Sequence, residues 1–278
     1  MTRAVHDLDD LRETVAAWRA AGETIAVVPT MGALHDGHIN LVENARRRAN
    51  RVVVTIFVNP AQFAPHEDFD RYPRTLEADL EKLAAAGADL AYAPAASDMY
   101  RPGFATRLAM SGPAEGLETD FRPHFFGGVA TVVSKLFLRV LPDFAFFGEK
   151  DYQQLLVVRR MVADLDMPME VVGVPTVREE DGLALSSRNA YLSDDDRALA
   201  PLIHSELLAA AERIRAGDNA DEAAAASAAA LARAGFEVDY VAARNAGTLA
   251  PISHSAEPVR LLAAARIGAT RLIDNIGV

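Results

Sequence analysis

Short apolar runs alternate with longer helical patterns along the first two thirds of this chain, and that alternation constrains its fold more than any other feature. Thr24 to Val28 reads as a buried strand ended by Pro29 and a Met31-Gly32 turn, followed by helical spacing from about His38 to Ala49. Arg51 to Val58 is a second strand rich in β-branched residues, broken by Asn59-Pro60, and Thr75 to Ala86 is a helix ending near Gly87. Leu90 to Ala93, Phe144 to Phe147 and Glu170 to Val174 continue the strand series, with helices over Val129 to Val140 and Tyr152 to Leu165. Strands separated by helices must return in the same direction, so the pattern predicts an α/β fold, a parallel sheet with helices on both faces. Ligands of such sheets bind beyond the C-terminal strand ends.

The remaining hundred residues differ. Asp194 to Ala216 and Asp221 to Ala234 read as alanine-rich helices joined by Gly217-Asp218-Asn219, and Phe236 to Ala242, Val259 to Ala265 and Thr270 to Asp274 as strands. The chain therefore divides, on this reading, into a first domain over 1–176 and a small α+β domain over 177–278. A length of 278 residues accommodates either one large or two unequal domains. The net charge of -11 argues against general binding to nucleic acid, and no apolar stretch is long enough for a membrane span. Cysteine is absent, which excludes disulfides and thiolate metal sites. The acidic, amphipathic N-terminus is unlike a signal peptide, so a cytoplasmic protein is expected.

Three segments carry chemistry. Pro29 to His38 (PTMGALHDGH) follows a strand and opens a helix, where backbone N–H groups and the helix dipole favour a phosphate. His35 and His38, with Gly37 between them, can each donate to such an anion; two surface histidines or a metal pair are the competing readings, although no third ligand lies nearby in sequence. Gly148-Glu149-Lys150-Asp151 follows the strand Phe144 to Phe147 and puts an ammonium where a phosphate or carboxylate would bind, with Gln153 and Gln154 on the same rim. A helix cap by Asp151 beside an exposed lysine explains the same residues. Ser186-Ser187-Arg188 sets two hydroxyls before a guanidinium fork, suited to clamping a polyphosphate, or simply caps a helix.

Taken together, a His-x-Gly-His loop after the first strand and a late Ser-Ser-Arg clamp resemble the paired signatures of the nucleotidyltransferase superfamily. The set PTMGALHDGH, FVNPAQF, GEKDYQQL and DGLALSSRN resembles the pantoate–β-alanine ligase family, from about Thr24 to the end of the chain. That resemblance implies a Rossmann-like first domain, a C-terminal lid, and ATP-dependent condensation of pantoate with β-alanine through a pantoyl-adenylate. ATP enters as substrate with Mg²⁺, whose ligands are unknown, and a homodimer without nucleic-acid or membrane partners is implied.

Position by position, the family's ATP loop matches Met31, Gly32, Ala33, Leu34, His35, Asp36, Gly37 and His38, with His38 as proton donor or transition-state stabiliser and His35 beside it on the phosphates. Gly148, Glu149, Lys150 and Asp151 match the nucleotide site, Val177 an adenine contact, and Leu185, Ser186, Ser187 and Arg188 the phosphate clamp. Gln62 and Gln154 match substrate glutamines, and Asn59, Tyr72 and Arg122 align with further site residues. One departure stands out. Where the family commonly reads Arg-Pro-Gly-His-Phe, this chain reads Arg122-Pro123-His124-Phe125-Phe126, and His124 is assigned no catalytic role. A nucleotidyltransferase that stops at a nucleotide product shares the histidine loop but gives no reason for Gln62 and Gln154. A regulator with a decayed site gives none for the retained cations. An aminoacyl-tRNA synthetase is disfavoured by the short chain and its negative charge.

Overall fold

In the computed structural model, which describes residues 2–64, 67, 69–254 and 257–278, the alternation becomes a sheet of six parallel strands. In chain order, β1 (Arg3–Val5) and α1 (Leu8–Ala20) precede β2 (Ile25–Thr30), α2 (Asp36–Arg46), β3 (Arg51–Ile56), α3 (Leu76–Ala86) and β4 (Leu90–Tyr92). Two short helices, α4 (Ala96–Met99) and α5 (Glu118–Phe121), lead to α6 (Phe125–Val140), β5 (Phe144–Gly148), α7 (Tyr152–Asp164) and β6 (Glu170–Val174). The C-terminal part comprises α8 (Asp194–Leu199), α9 (Leu202–Arg215), α10 (Ala220–Arg233), β7 (Glu237–Asn245), β8 (Val259–Ile267) and β9 (Thr270–Gly277).

Two compact units result. One contains Met1–Met110, Arg122–Glu149 and Val157–Pro175; the other contains Ser111–Phe121, Lys150–Leu156 and Thr176–Val278. In the first, the strands run in the order β1-β4-β3-β2-β5-β6. The chain steps outward from β2 through β3 and β4, then restarts on β2's other side with β5. That reversal lies between β2 and β5, and at such a point the loops leaving the strand ends diverge and leave a crevice. Val27, Val28, Val52, Val53 and Val54 are fully buried, as strands covered on both faces require.

Pro29 does not end β2, contrary to the sequence expectation. Pro29 pairs in register with Thr55 and the strand continues to Thr30. Ile25 accepts from Asp143 N–H, so alternate residues 25, 27 and 29 turn their backbone groups toward β5, whose pairing with β2 stops at Val27. The N–H that proline lacks therefore lies on the side away from β3, and the ladder with β3 continues through Thr30. β1 escaped the sequence reading because only three residues pair, Arg3 to Val5 against Leu90 to Tyr92.

The second unit holds the antiparallel sheet β7-β8-β9 under α9 and α10. The stretch from Asp194 to Ala216 is two helices, not one, because Pro201 cannot supply the N–H that a continuous helix needs. Ala210, Ala211, Ala223 and Ala224 are buried in this unit's core, so the alanine-rich faces serve close packing. The segment around α5 is tied in by charge. Arg271 donates to both Glu118 carboxylate oxygens at 2.8 and 2.9 Å, and the Tyr240 hydroxyl donates to Glu118 at 2.9 Å. Burial, with Glu118 alongside, pushes the Tyr240 phenol well above its usual range. Gln153 is buried in the same place: its amide accepts from Glu118 N–H and donates to the carbonyls of Pro113 and Gly116. The sequence had put Gln153 and Gln154 on one rim; only Gln154 remains partly accessible.

Candidate active site

The candidate residues of the first unit gather at the C-terminal ends of β2, β3 and β5. Leaving β2, the chain turns through Gly32 at φ +84° and Ala33 at φ +51°. Two successive residues in this left-handed region direct adjacent N–H groups the same way, and the buried carboxylate of Asp79 accepts both. Ala33 N–H donates to Oδ2 at 2.9 Å and Leu34 N–H to Oδ1 at 2.8 Å. A side chain at Gly32 would bring its Cβ to 3.1 Å from both Asp79 Oδ2 and Ile56, so the glycine serves conformation and close approach together. Lys82, one turn on from Asp79 in α3, donates to the Leu34 carbonyl at 2.5 Å. These two residues hold the loop rigid, yet sequence reasoning passed over both, because their partners lie more than forty positions away.

Asp79→Ala is therefore expected to leave two N–H groups unpaired in a buried setting and to cost about 3 kcal/mol. The melting temperature should drop by roughly 6–10 °C. A shift below 2 °C in a thermal melt would show that the loop does not depend on this carboxylate.

The loop ends in the first turn of α2, which its own histidines cap. Gly37 N–H donates to His35 Nδ1 at 3.2 Å, and His35 N–H donates to His38 Nδ1 at 3.3 Å. The two rings stand 4.1 Å apart between centroids, inclined by 41°. A nitrogen that accepts from a backbone N–H cannot itself carry a proton, so each neutral ring is protonated at Nε2. Two imidazole donors thus stand together at a helix N-terminus, where the dipole already favours an anion.

Beside this loop stands a second polar group, from the turn after β3. Asn59 is 1% exposed, and every polar atom of its side chain is occupied. Oδ1 accepts from Ala61 N–H at 3.2 Å and from the Tyr100 hydroxyl at 2.7 Å; Nδ2 donates to the Gly128 carbonyl at 3.2 Å and to Gln62 Oε1 at 3.1 Å. Gln62 Nε2 then donates to the Met31 thioether at 3.2 Å, joining this group to the β2 loop. Arg122 lies against Phe125, with its guanidinium carbon 3.9 Å from the ring centroid, and donates to both carboxylate oxygens of Glu67 at 2.6 and 2.8 Å and to the Gln62 carbonyl at 3.2 Å. Burial works against ionising Glu67, but Arg122 outweighs it and keeps that carboxyl below its usual range. Tyr72 is buried with its ring edge-on to Phe63. His124 is exposed at the start of α6.

The remaining sequence candidates lie in the second unit, since the chain passes between units after Glu149. Lys150 is partly exposed, and its carbonyl accepts from Asn275 Nδ2 at 2.8 Å. Asp274, next to Asn275 on β9, receives Arg178 in a two-pronged ion pair at 2.6 and 2.8 Å. Arg178 belongs to a hairpin that bridges to Ala184, with Leu185 N–H donating to the Val177 carbonyl at 3.0 Å. One stretch of β9 therefore anchors both Lys150 and the hairpin that carries Val177, Leu185 and the Ser-Ser-Arg segment. Ser186 accepts from Arg188 N–H at 3.3 Å and caps a short 3-10 turn over Ser187–Tyr191. The capping role weighed for this serine is thus real, and it fixes where Ser187 and Arg188 begin. Asp151 is exposed and Gln154 partly so.

The chain as a whole is similar to known proteins. The family model described as pantoate-beta-alanine ligase matches residues 3–277. A pantothenate synthetase from Nitrobacter hamburgensis is 59% identical over 98% of this chain and 96% of its own length. Another, from Caulobacter vibrioides, is 55% identical over 99% and 98%. The crystal structure of pantothenate synthetase from Thermus thermophilus superposes with a TM-score of 0.93 at 51% identity, covering 99% of each chain. That of pantoate-beta-alanine ligase from Francisella tularensis, complexed with beta-gamma ATP and beta-alanine, gives 0.84 at 30% identity over 100% and 98%.

Proposed function

The chain belongs to the pantoate–β-alanine ligase family, and from that premise we propose which of its residues carry the reaction. The enzyme condenses pantoate with β-alanine at the expense of ATP, giving pantothenate, AMP and pyrophosphate through an enzyme-bound pantoyl-adenylate. A free carboxylate has no leaving group that an amine can displace, and AMP supplies one. The pantoate carboxylate attacks the α-phosphorus, the bond to pyrophosphate breaks, and the β-alanine amine then displaces AMP from the acyl carbon.

The observation that carries the residue assignment is the two-histidine cap at the sheet's reversal point. His35 and His38 direct Nε2–H groups at the phosphates, and charge accumulating on the α-phosphate oxygens and the departing pyrophosphate is stabilised by donors already in place. Met31 to His38 with Gly148, Glu149, Lys150 and Asp151 form the nucleotide site, Lys150 meeting the phosphates and Asp151 the ribose. Val177 contacts adenine through its backbone, and Leu185, Ser186, Ser187 and Arg188 close on the polyphosphate. Gln62 and Gln154 hold pantoate, while Tyr72 and Arg122 shape the substrate end. Asn59, sealed from solvent with its side chain saturated, supports Gln62 instead of touching substrate.

Among the described residues no three His, Cys, Asp or Glu side chains gather as a metal site. Mg²⁺ accordingly enters on the phosphates of ATP in this proposal, the mode usual for an ion that keeps most of its water. The domain from 177 onward acts as the lid that keeps water from the adenylate. A cytoplasmic homodimer completes the proposal.

Adding β-alanine to enzyme, ATP and pantoate is expected to raise AMP output in step with pantothenate. AMP that does not respond to β-alanine would instead indicate an adenylyltransferase that stops at the first half-reaction.

A further inference from the structure

The hydrogen bonds around Asn59 run in one direction only. Oδ1 faces a backbone N–H, from Ala61, and Nδ2 faces a backbone carbonyl, from Gly128, so the amide cannot be reversed without losing both. Because Oδ1 must accept, the Tyr100 hydroxyl must donate to it. Because Nδ2 must donate, the Gln62 oxygen must accept from it, which leaves the Gln62 nitrogen facing Met31. A thioether is a weak acceptor, so the Gln62 N–H it receives passes readily to a stronger one.

We propose that Tyr100 is a positioning residue for the acid substrate: its hydroxyl, acting through Asn59, holds Gln62 with N–H groups rather than carbonyl toward the site, so that Gln62 recognises an oxygen acceptor of pantoate. The proposal rests on the reading that Gln62 contacts pantoate. Pantoate offers its carboxylate and two hydroxyl groups as acceptors, and any of them satisfies this polarity; an amide carbonyl turned the other way would repel the carboxylate. Packing and charge both suit Tyr100 to the task. Its ring packs against Phe57 and Phe104, at centroid distances of 6.3 and 5.1 Å, and these two rings aim the hydroxyl. Burial pushes the phenol up to about 12, which keeps it a donor throughout the range in which the enzyme can be assayed.

Tyr100→Phe keeps the ring in that stack and removes only the hydroxyl. At saturating ATP and without β-alanine, pantoate-dependent pyrophosphate release in a single turnover isolates the first half-reaction. The half-saturating pantoate concentration is expected to rise about fivefold, as for loss of one orienting hydrogen bond, with the maximal rate within about twofold. The ATP dependence and the melting temperature should stay unchanged. An unaltered pantoate dependence overturns the proposal, and so does a joint weakening of ATP and pantoate with a lowered melt, which would mark Tyr100 as packing alone. Gln62→Glu, the same shape with acceptors only, separates the premise from the inference. If Gln62→Glu leaves pantoate unaffected, the contact itself is wrong and the proposal falls with it. If Gln62→Glu weakens pantoate while Tyr100→Phe does not, only the role of Tyr100 is lost.

Discussion

Replacing His38 with alanine is expected to lower turnover by about a thousandfold, through loss of one preorganised donor to the transferring phosphate. The ring also accepts the His35 N–H at 3.3 Å, so part of the damage will be structural, worth about 1 kcal/mol as for other helix caps. His38→Asn separates the two roles. Its shorter amide oxygen can still take the His35 N–H but cannot extend an N–H to where Nε2 stood. His38→Asn should therefore recover most of the lost melting temperature while remaining as inactive as His38→Ala. AMP release under saturating substrates, beside a thermal melt of each variant, is the measurement. Activity within tenfold of wild type in either variant would remove His38 from the chemistry.

Gly128→Ala is expected to lower stability and pantoate affinity together. A Cβ there would lie 2.3 Å from the Ala61 carbonyl oxygen and 2.7 Å from its carbon, both backbone atoms with no rotamer to retreat into. α6 must then draw back from the turn that carries Gln62, and the hydrogen bond from Asn59 to the Gly128 carbonyl goes with it. Overpacking of this kind costs about 3 kcal/mol, and the loosened Asn59 should weaken pantoate at least about tenfold. ATP binding alone, followed by equilibrium titration, should change far less. A variant that melts within 1 °C of wild type would mean that helix and turn are not pressed together as described.

Glycine at this position was visible in the sequence, but the reason for it was not. The departure read at His124-Phe125 drew notice to that loop, whereas the closest backbone approach lies a few residues on. The same limit runs through the site. The strand–loop–helix around His35 and His38 was legible because an apolar strand run, a glycine turn and a helical period are all local signals. Asp79, Lys82 and Tyr100 were not, since each acts on a partner at least forty residues distant and no spacing rule connects them. Gln153 was misjudged next to Gln154 because neighbouring helical positions differ by 100° in direction, and only the packing of 111–121 decides which one turns inward. Among the secondary elements, β6 was bounded correctly because its flanks are simple. Pro29 misled because a proline's harm depends on which neighbour its missing N–H would have faced.

The double histidine cap has a consequence for anyone adapting this enzyme to heat. The standard remedy for a weak helix start is to install serine or aspartate at its first position and glutamate three residues later. Here those two positions are His35 and His38, so the swap that would strengthen α2 removes both imidazoles that the proposed mechanism assigns to the phosphates. Sturdier variants will have to be sought elsewhere, among the alanine-packed helices α9 and α10 for example, because at this turn durability and turnover draw on the same two side chains.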